Sequence, residues 1–105
     1  MKEQGISDYR FSIVPVANFR KNNGDFDSEK QLKKIDEEYM ELQKAYSYFV
    51  KYPSGKSRAH LAEEIGDLMT ACATFYTGFL TPHEVRDVFQ LIFYKNKIRG
   101  YYEDN

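Results

Sequence analysis

Two short segments of this 105-residue chain carry the residue types that could do chemistry. Ile35-Asp36-Glu37-Glu38-Tyr39-Met40-Glu41-Leu42 aligns with Leu61-Ala62-Glu63-Glu64-Ile65-Gly66-Asp67-Leu68. Apolar residues hold the same three places in each segment, and acids hold another three. At roughly 100° per residue on a helix, Glu38 and Glu64 flank the apolar stripe by about 60°, and Glu41 and Asp67 lie about 60° further round. Glu37 and Glu63 fall nearly opposite and face solvent. Helical phase therefore selects Glu38, Glu41, Glu64 and Asp67. Carboxylates that converge raise one another's pKa and strain the fold unless a cation joins them. Mg²⁺ is a hard cation that takes oxygen ligands and bridges protein carboxylates to phosphates, and Mn²⁺ is its natural substitute. A single Glu-x-x-Glu is ordinarily a solvated helix face; two arrays in one phase are what make a site. Neutralisation by Lys or Arg from a third helix is the alternative fate of the same acids. A ferritin-like di-iron site would need Glu-x-x-His pairs, and neither His60 nor His83 follows a Glu at that spacing.

The elements that must position these acids are helices. The first is expected from near Ser28, with Ser28 and Gln31 at capping-box spacing. Its stripe is Leu32, Ile35, Tyr39, Leu42, Tyr46 and Phe49, and it ends before the turn Pro53-Ser54-Gly55. The second starts near Ser57, carries Leu61, Ile65, Leu68, Cys72, Phe75 and Phe79, and reaches a C-cap at Gly78. The third opens on Thr81-Pro82-His83-Glu84, an N-cap, a Pro at the first helical position and a capping-box Glu, with Leu80 and Val85 as a staple. It presents Val85, Val88, Phe89, Ile92 and Phe93, runs to about Lys97 and is followed by Gly100. The short connection at Pro53 makes the first two helices antiparallel neighbours. The two acid pairs then differ in height by only about 4 Å. No strand pattern competes, so the expected fold is all-α: an antiparallel helical bundle of three main helices (28–105) with an irregular N-terminal arm (1–27), a single domain overall. In the arm, Pro15 breaks the apolar run from Phe11 to Phe19, and Asn22-Asn23-Gly24-Asp25 is a loop. The arm is expected to be extended or briefly helical and to pack on another surface. The tail Tyr101–Asn105 looks mobile or partner-dependent.

Composition narrows the classes further. A net charge of −1 lacks the basic face of a stable nucleic-acid binder. One Cys rules out an internal disulfide framework. The first residues lead into no apolar run of signal-peptide length, and no segment approaches a membrane span, so a cytoplasmic protein is expected. Nine Tyr and eight Phe, with no Trp, are a heavy aromatic load for so short a chain. Such a chain buries little surface alone, and some of these rings are expected at a subunit interface or against a base. Cys72 reads as a buried stripe residue, His60 as a surface histidine, His83 as part of a cap, and Lys30 and Lys33 as a solvated face. Tyr46, Tyr48 and Phe49 read as core or interface. Lys34 alone among the nearby lysines shares the phase of the acidic flank.

Lys34-Ile35-Asp36-Glu37-Glu38-Tyr39-Met40-Glu41, followed by Glu63-Glu64-Ile65-Gly66-Asp67, resembles the paired acidic motifs of MazG-like nucleoside triphosphate pyrophosphohydrolases. Lys95-Asn96-Lys97-Ile98-Arg99-Gly100 resembles the Lys-Asn-x-x-Arg signature late in that fold. The resemblance spans residues 34–100 and follows family order. It implies Mg²⁺-dependent cleavage between the α and β phosphates of a nucleoside triphosphate, giving a monophosphate and pyrophosphate. It makes Glu38, Glu41, Glu64 and Asp67 the metal ligands and catalytic carboxylates. Lys95, Asn96 and Arg99 become phosphate and sugar ligands, with Lys34 also within reach of phosphate. It further implies a homo-oligomer, a dimer or tetramer. The absent Trp, which several relatives place in the nucleotide pocket, moves base stacking to a Tyr or Phe, the arm being one source. Two other functions stay open: a non-catalytic nucleotide- or protein-binding module of the same fold, and a phosphoribosyl-ATP pyrophosphohydrolase.

Overall fold

The computed structural model describes residues 10–102. Three helices account for its regular structure: α1 (Ser28–Lys51), α2 (Gly55–Phe79) and α3 (Pro82–Ile98). The one β feature among the described residues is an isolated antiparallel bridge between Arg20 and Phe26. The regular structure of the described residues is therefore helical, as the apolar periodicity predicts. No helix among the described residues is long and apolar enough to cross a membrane. Residues 13–79 form one compact unit, and α3 belongs to a second.

Within residues 13–79, α1 and α2 pack against each other as a helical hairpin, joined by Tyr52-Pro53-Ser54. Ser54 rather than Ser57 caps α2: its Oγ accepts from the Ser57 N–H, three residues on, at 3.0 Å. Ser57 is buried and ties the turn together, its hydroxyl donating to the Tyr52 carbonyl at 2.8 Å. At the head of α1 the cap is Asp27, whose carboxylate accepts from the Lys30 N–H. Ser28 and Gln31 do not form the expected capping box. Gln31 is instead fully buried, and its Nε2 donates to the Ala71 carbonyl at 3.0 Å, stitching α1 to α2.

The arm is extended and crosses α2. The Val16 N–H donates to Thr74 Oγ1 at 3.1 Å. Thr74 is completely buried and passes its own proton to the Thr70 carbonyl at 2.8 Å. Thr77 Oγ1 donates to Asn18 Oδ1. The arm then turns through Lys21–Asp25 and returns, the Asp27 N–H donating to the Phe19 carbonyl at 2.9 Å. On the return it lays the Phe26 ring edge-on to Phe75, centroids 5.4 Å apart. The ring lies over Gly78, where a Cβ would stand 2.7 Å from Phe26 Cγ. Gly78 is therefore not the end of α2, which runs to Phe79. It is a close-approach glycine that lets the arm seat an aromatic ring on the helix.

Burial departs from the expected stripes. The buried apolar side chains among the described residues are Ala45 and Ala71 alone. Leu32, Tyr39 and Tyr46 are each more than half exposed, and Cys72 lies on the exposed surface rather than in a core. Two helices and one arm cannot enclose stripes that wide.

α3 starts as its sequence dictates. Thr81 Oγ1 accepts from the Glu84 N–H, Glu84 accepts from the Thr81 N–H, and Pro82 follows the cap. These bonds favour the ionised carboxylate and hold Glu84 below the ordinary glutamate range. The helix closes in a Schellman motif on Gly100 (φ 77°): the Tyr101 N–H donates to the Asn96 carbonyl, and the Gly100 N–H to that of Lys97. Tyr102 folds back rather than standing free. Its ring stacks on Phe93 at 5.1 Å, and its hydroxyl accepts from Asn96 Nδ2 at 3.1 Å. The last three residues of the tail lie outside the described residues.

Candidate metal centre

The two acidic arrays do meet. Glu38 from α1 and Glu64 and Asp67 from α2 each offer a carboxylate oxygen, all three within 4.8 Å of one another. The antiparallel pairing of two helices with equal phase produces this convergence, since it sets the flank of one stripe against the flank of the other. Glu38 and Glu64 are mostly shielded, their side chains 15% and 14% exposed. Asp67 is open to solvent. Glu37 is exposed, as is Glu63.

Glu41 is not part of this group. It lies a turn further along α1, its side chain is 54% exposed, and its Oε1 pairs with Lys44 Nζ at 3.5 Å. A shift of three residues moves a carboxylate about 4.5 Å along the helix axis as well as round it. That step carries Glu41 away from its partners on α2.

The donor set fits a small hard cation. At Mg–O distances of about 2.1 Å, ligand oxygens of one octahedron lie about 3 Å apart when adjacent and about 4.2 Å when opposite. Three carboxylate oxygens within 4.8 Å need only small rotamer adjustments to reach those separations. Water and substrate oxygens would complete the shell.

A cation from the protein already touches the cluster, and it comes from α1 rather than from a third helix. Lys34 Nζ lies 2.9 Å from Glu38 Oε1 and 3.9 Å from Glu37 Oε2. The hydrogen bond and charge of Glu38 hold the Lys34 ammonium above the ordinary lysine pKa, with smaller help from Glu37 and Asp67 and against a desolvation cost. On the opposite side His60 Nε2 stands 3.7 Å from Glu64 Oε1. His60 is the exposed surface histidine expected, and it stands beside one carboxylate of the cluster.

The cluster opens into a pocket of about 280 Å³. The arm supplies one wall with Val16, Ala17 and Phe19. Gln31, Lys34, Glu38, Asp67, Thr70 and Ala71 supply the rest. A broader depression along α1, lined from Met40 to Tyr52, includes none of the three cluster carboxylates, and α3 has one of its own between Arg86 and Lys97. Phe19, Gln31 and Thr70 are pocket residues that sequence reasoning did not single out. The signal was present in Thr70, Thr74 and Thr77: three hydroxyls on one face of the otherwise apolar stretch of α2 after Asp67 mark a face that something polar crosses.

Lys95, Asn96 and Arg99 belong to the other unit, on α3 and its C-cap. The carboxylate cluster and its pocket are built without them. Asn96 is engaged with Tyr102.

Comparison with known proteins finds no matching family model, no matching curated protein and no matching solved structure.

Proposed function

We propose that the protein is a Mg²⁺-dependent, MazG-like nucleoside triphosphate pyrophosphohydrolase that cleaves between the α and β phosphates. The observation that carries this reading is the meeting of Glu38, Glu64 and Asp67 beside an arm-covered pocket. A divalent site opening into a cavity suits a substrate with a polyphosphate at one end and a ring at the other.

In this reading Glu38, Glu64 and Asp67 hold Mg²⁺, with Mn²⁺ as a substitute. Held by these three carboxylates, such an ion would supply charge neutralisation for phosphate oxygens and lower the pKa of a water. Water adds to the α phosphorus, the bond to the bridging oxygen breaks, and pyrophosphate leaves. The proton passes to a carboxylate of the cluster or to a water held by one; Glu41, exposed and paired with Lys44, is included by the family pattern alone. Lys34 at the pocket rim meets phosphate oxygens, and Lys95, Asn96 and Arg99 are further phosphate ligands by the family pattern. The apolar depression lined by Leu42, Tyr46, Leu61 and Ile65 is the face on which a second copy docks, making a homo-oligomer.

A non-catalytic nucleotide-binding module is the second reading. Its support is the Lys34–Glu38 pair, since a cluster neutralised from within has less need of a metal.

Pyrophosphate release from a panel of nucleoside triphosphates with Mg²⁺ separates the two. The hydrolase reading expects turnover that falls by about a hundredfold or more in Glu64→Gln and Asp67→Asn. No release from any nucleotide would sink it.

A further inference from the structure

The pocket beside the carboxylates contains two neutral polar side chains, Gln31 and Thr70. A hydroxyl has one proton to donate, and Thr70 directs its own at the Gly66 carbonyl at 3.0 Å. What Thr70 offers the pocket is an acceptor oxygen. Gln31 has turned Nε2 to the Ala71 carbonyl, so its acceptor oxygen is the end not engaged by that bond. The carboxylates of Glu38 and Asp67 are acceptors as well. Lys34, the donor at the rim, is occupied by Glu38. Phe19 adds an aromatic face, 41% exposed, on the arm side.

Acceptors facing a ring pocket discriminate. A ring bearing an exocyclic amino group donates into them. A ring with a keto oxygen at that place sets lone pair against lone pair and forms no hydrogen bond there. Taking the nucleotide reading above as given, we infer that the arm pocket selects nucleotides whose base carries an exocyclic amino donor. Cytosine and adenine fit; uracil and hypoxanthine do not. Phe19 stacks on the ring and Thr70 Oγ1 accepts from the amino group. The rings of cytosine and uracil are nearly isosteric, so the preference rests on hydrogen-bond polarity and not on size.

The test is an NMR titration of the isotope-labelled full chain with Mg²⁺, comparing cytidine 5′-monophosphate with uridine 5′-monophosphate, and adenosine with inosine 5′-monophosphate. The amino member of each pair is expected to bind about tenfold more tightly, the worth of one good hydrogen bond. Amide shifts are expected at Val16, Ala17, Phe19 and Thr70. Thr70→Val, which keeps shape and loses the acceptor, equalises each pair. Thr70→Ser keeps the preference, and Phe19→Ala weakens all four ligands alike. Equal affinity within the pairs in the natural protein, a preference that survives Thr70→Val, unmoved arm amides, or no binding of any ligand would overturn the inference. The hydrolase reading fails separately. Cytidine preference without pyrophosphate release from the triphosphate sinks that reading alone, and equally efficient release from cytidine and uridine triphosphates sinks the base selection alone.

Discussion

Lys34 Nζ stands 2.9 Å from Glu38 Oε1 across one turn of α1, and it is the cation the structure provides for its own carboxylate cluster. Its raised pKa has a definite consequence for stability. A lysine whose folded pKa exceeds its unfolded value of about 10.4 stabilises the fold fully below that pH. The contribution disappears as pH rises through the folded value. The pair is nearly half exposed on the lysine side, so screening limits it to about 0.5 kcal/mol. Thermal melts of the natural protein and Lys34→Met should therefore differ by a small constant amount from neutral pH to about 10.4 and converge above it. A difference that grows with alkalinity would contradict this account of the pair.

The membership of the metal group can be read from melting temperature without any assay of activity. On the proposed reading the folded cluster takes up Mg²⁺ or Mn²⁺ and the unfolded chain does not, so either should raise the midpoint. Glu38→Gln, Glu64→Gln and Asp67→Asn each remove one of the three converging oxygens and should abolish most of that rise. Glu41→Gln removes a carboxylate that pairs with Lys44 instead and should leave it intact. In metal-free buffer Asp67→Asn relieves like-charge repulsion and should melt no lower than the natural protein. Loss of the metal-induced rise in Glu41→Gln would restore the four-carboxylate set that helical phase alone suggests.

That contrast marks how far the sequence could be read. Phase along a helix depends only on residue spacing, so the three helices and the outward turn of Glu37 and Glu63 were legible. So was the pairing of the two acidic flanks. Height depends on how the helices slide past each other, which Gln31 helps to set through its bond to the Ala71 carbonyl. A buried Gln looks no different from a capping Gln in a linear string. The stripes misled about burial for the same reason. Periodicity reports which face is apolar, and says nothing of whether one hairpin and an arm have enough surface to cover it. Cys72 and Tyr46 lie open in consequence. The pocket was illegible because one wall of it belongs to the arm, whose course is fixed by single contacts: Val16 on Thr74, Asn18 with Thr77, and Phe26 on Gly78. Asn96 was read for its chemistry, while its place in the helix C-terminus gives it a structural partner in Tyr102.

Gly78 tests the arm's seating directly. A methyl there would press into the edge of the Phe26 ring, at Cδ1 and Cε1 with Cγ next, so the whole ring must shift to admit it. Helix propensity alone would make Gly78→Ala stabilising by about 1 kcal/mol. Overpacking of this kind costs about 1–3 kcal/mol and should win, so the variant is expected to unfold at lower denaturant. Adding Phe26→Leu to Gly78→Ala should recover part of the loss, because the smaller side chain vacates the contested space. A stabilised single variant would mean that the ring does not hold this position in solution.

Thr74 should control the arm from beneath. It is completely buried, accepts from the Val16 N–H and donates to the Thr70 carbonyl. Thr74→Val preserves volume and the β-branched shape while leaving the Val16 N–H without its partner, at a cost of about 1–3 kcal/mol. The arm can relieve that cost by lifting from α2 and hydrating its amide. The helical hairpin, with its own bonds at Gln31, Ser54 and Ser57, has no reason to open with it. Hydrogen exchange should then accelerate at Val16 and at Asp27, whose N–H donates to the Phe19 carbonyl, with little change along α1 and α2. Ligands that use the pocket wall at Val16, Ala17 and Phe19 should weaken, while the metal-induced rise in melting temperature persists, because Glu38, Glu64 and Asp67 all stand on the hairpin. Thr74→Ser keeps both hydrogen bonds and should behave like the natural protein in exchange and in ligand binding. If Thr74→Val instead abolished the metal response together with nucleotide binding, the arm would be integral to the carboxylate cluster rather than a wall placed beside it.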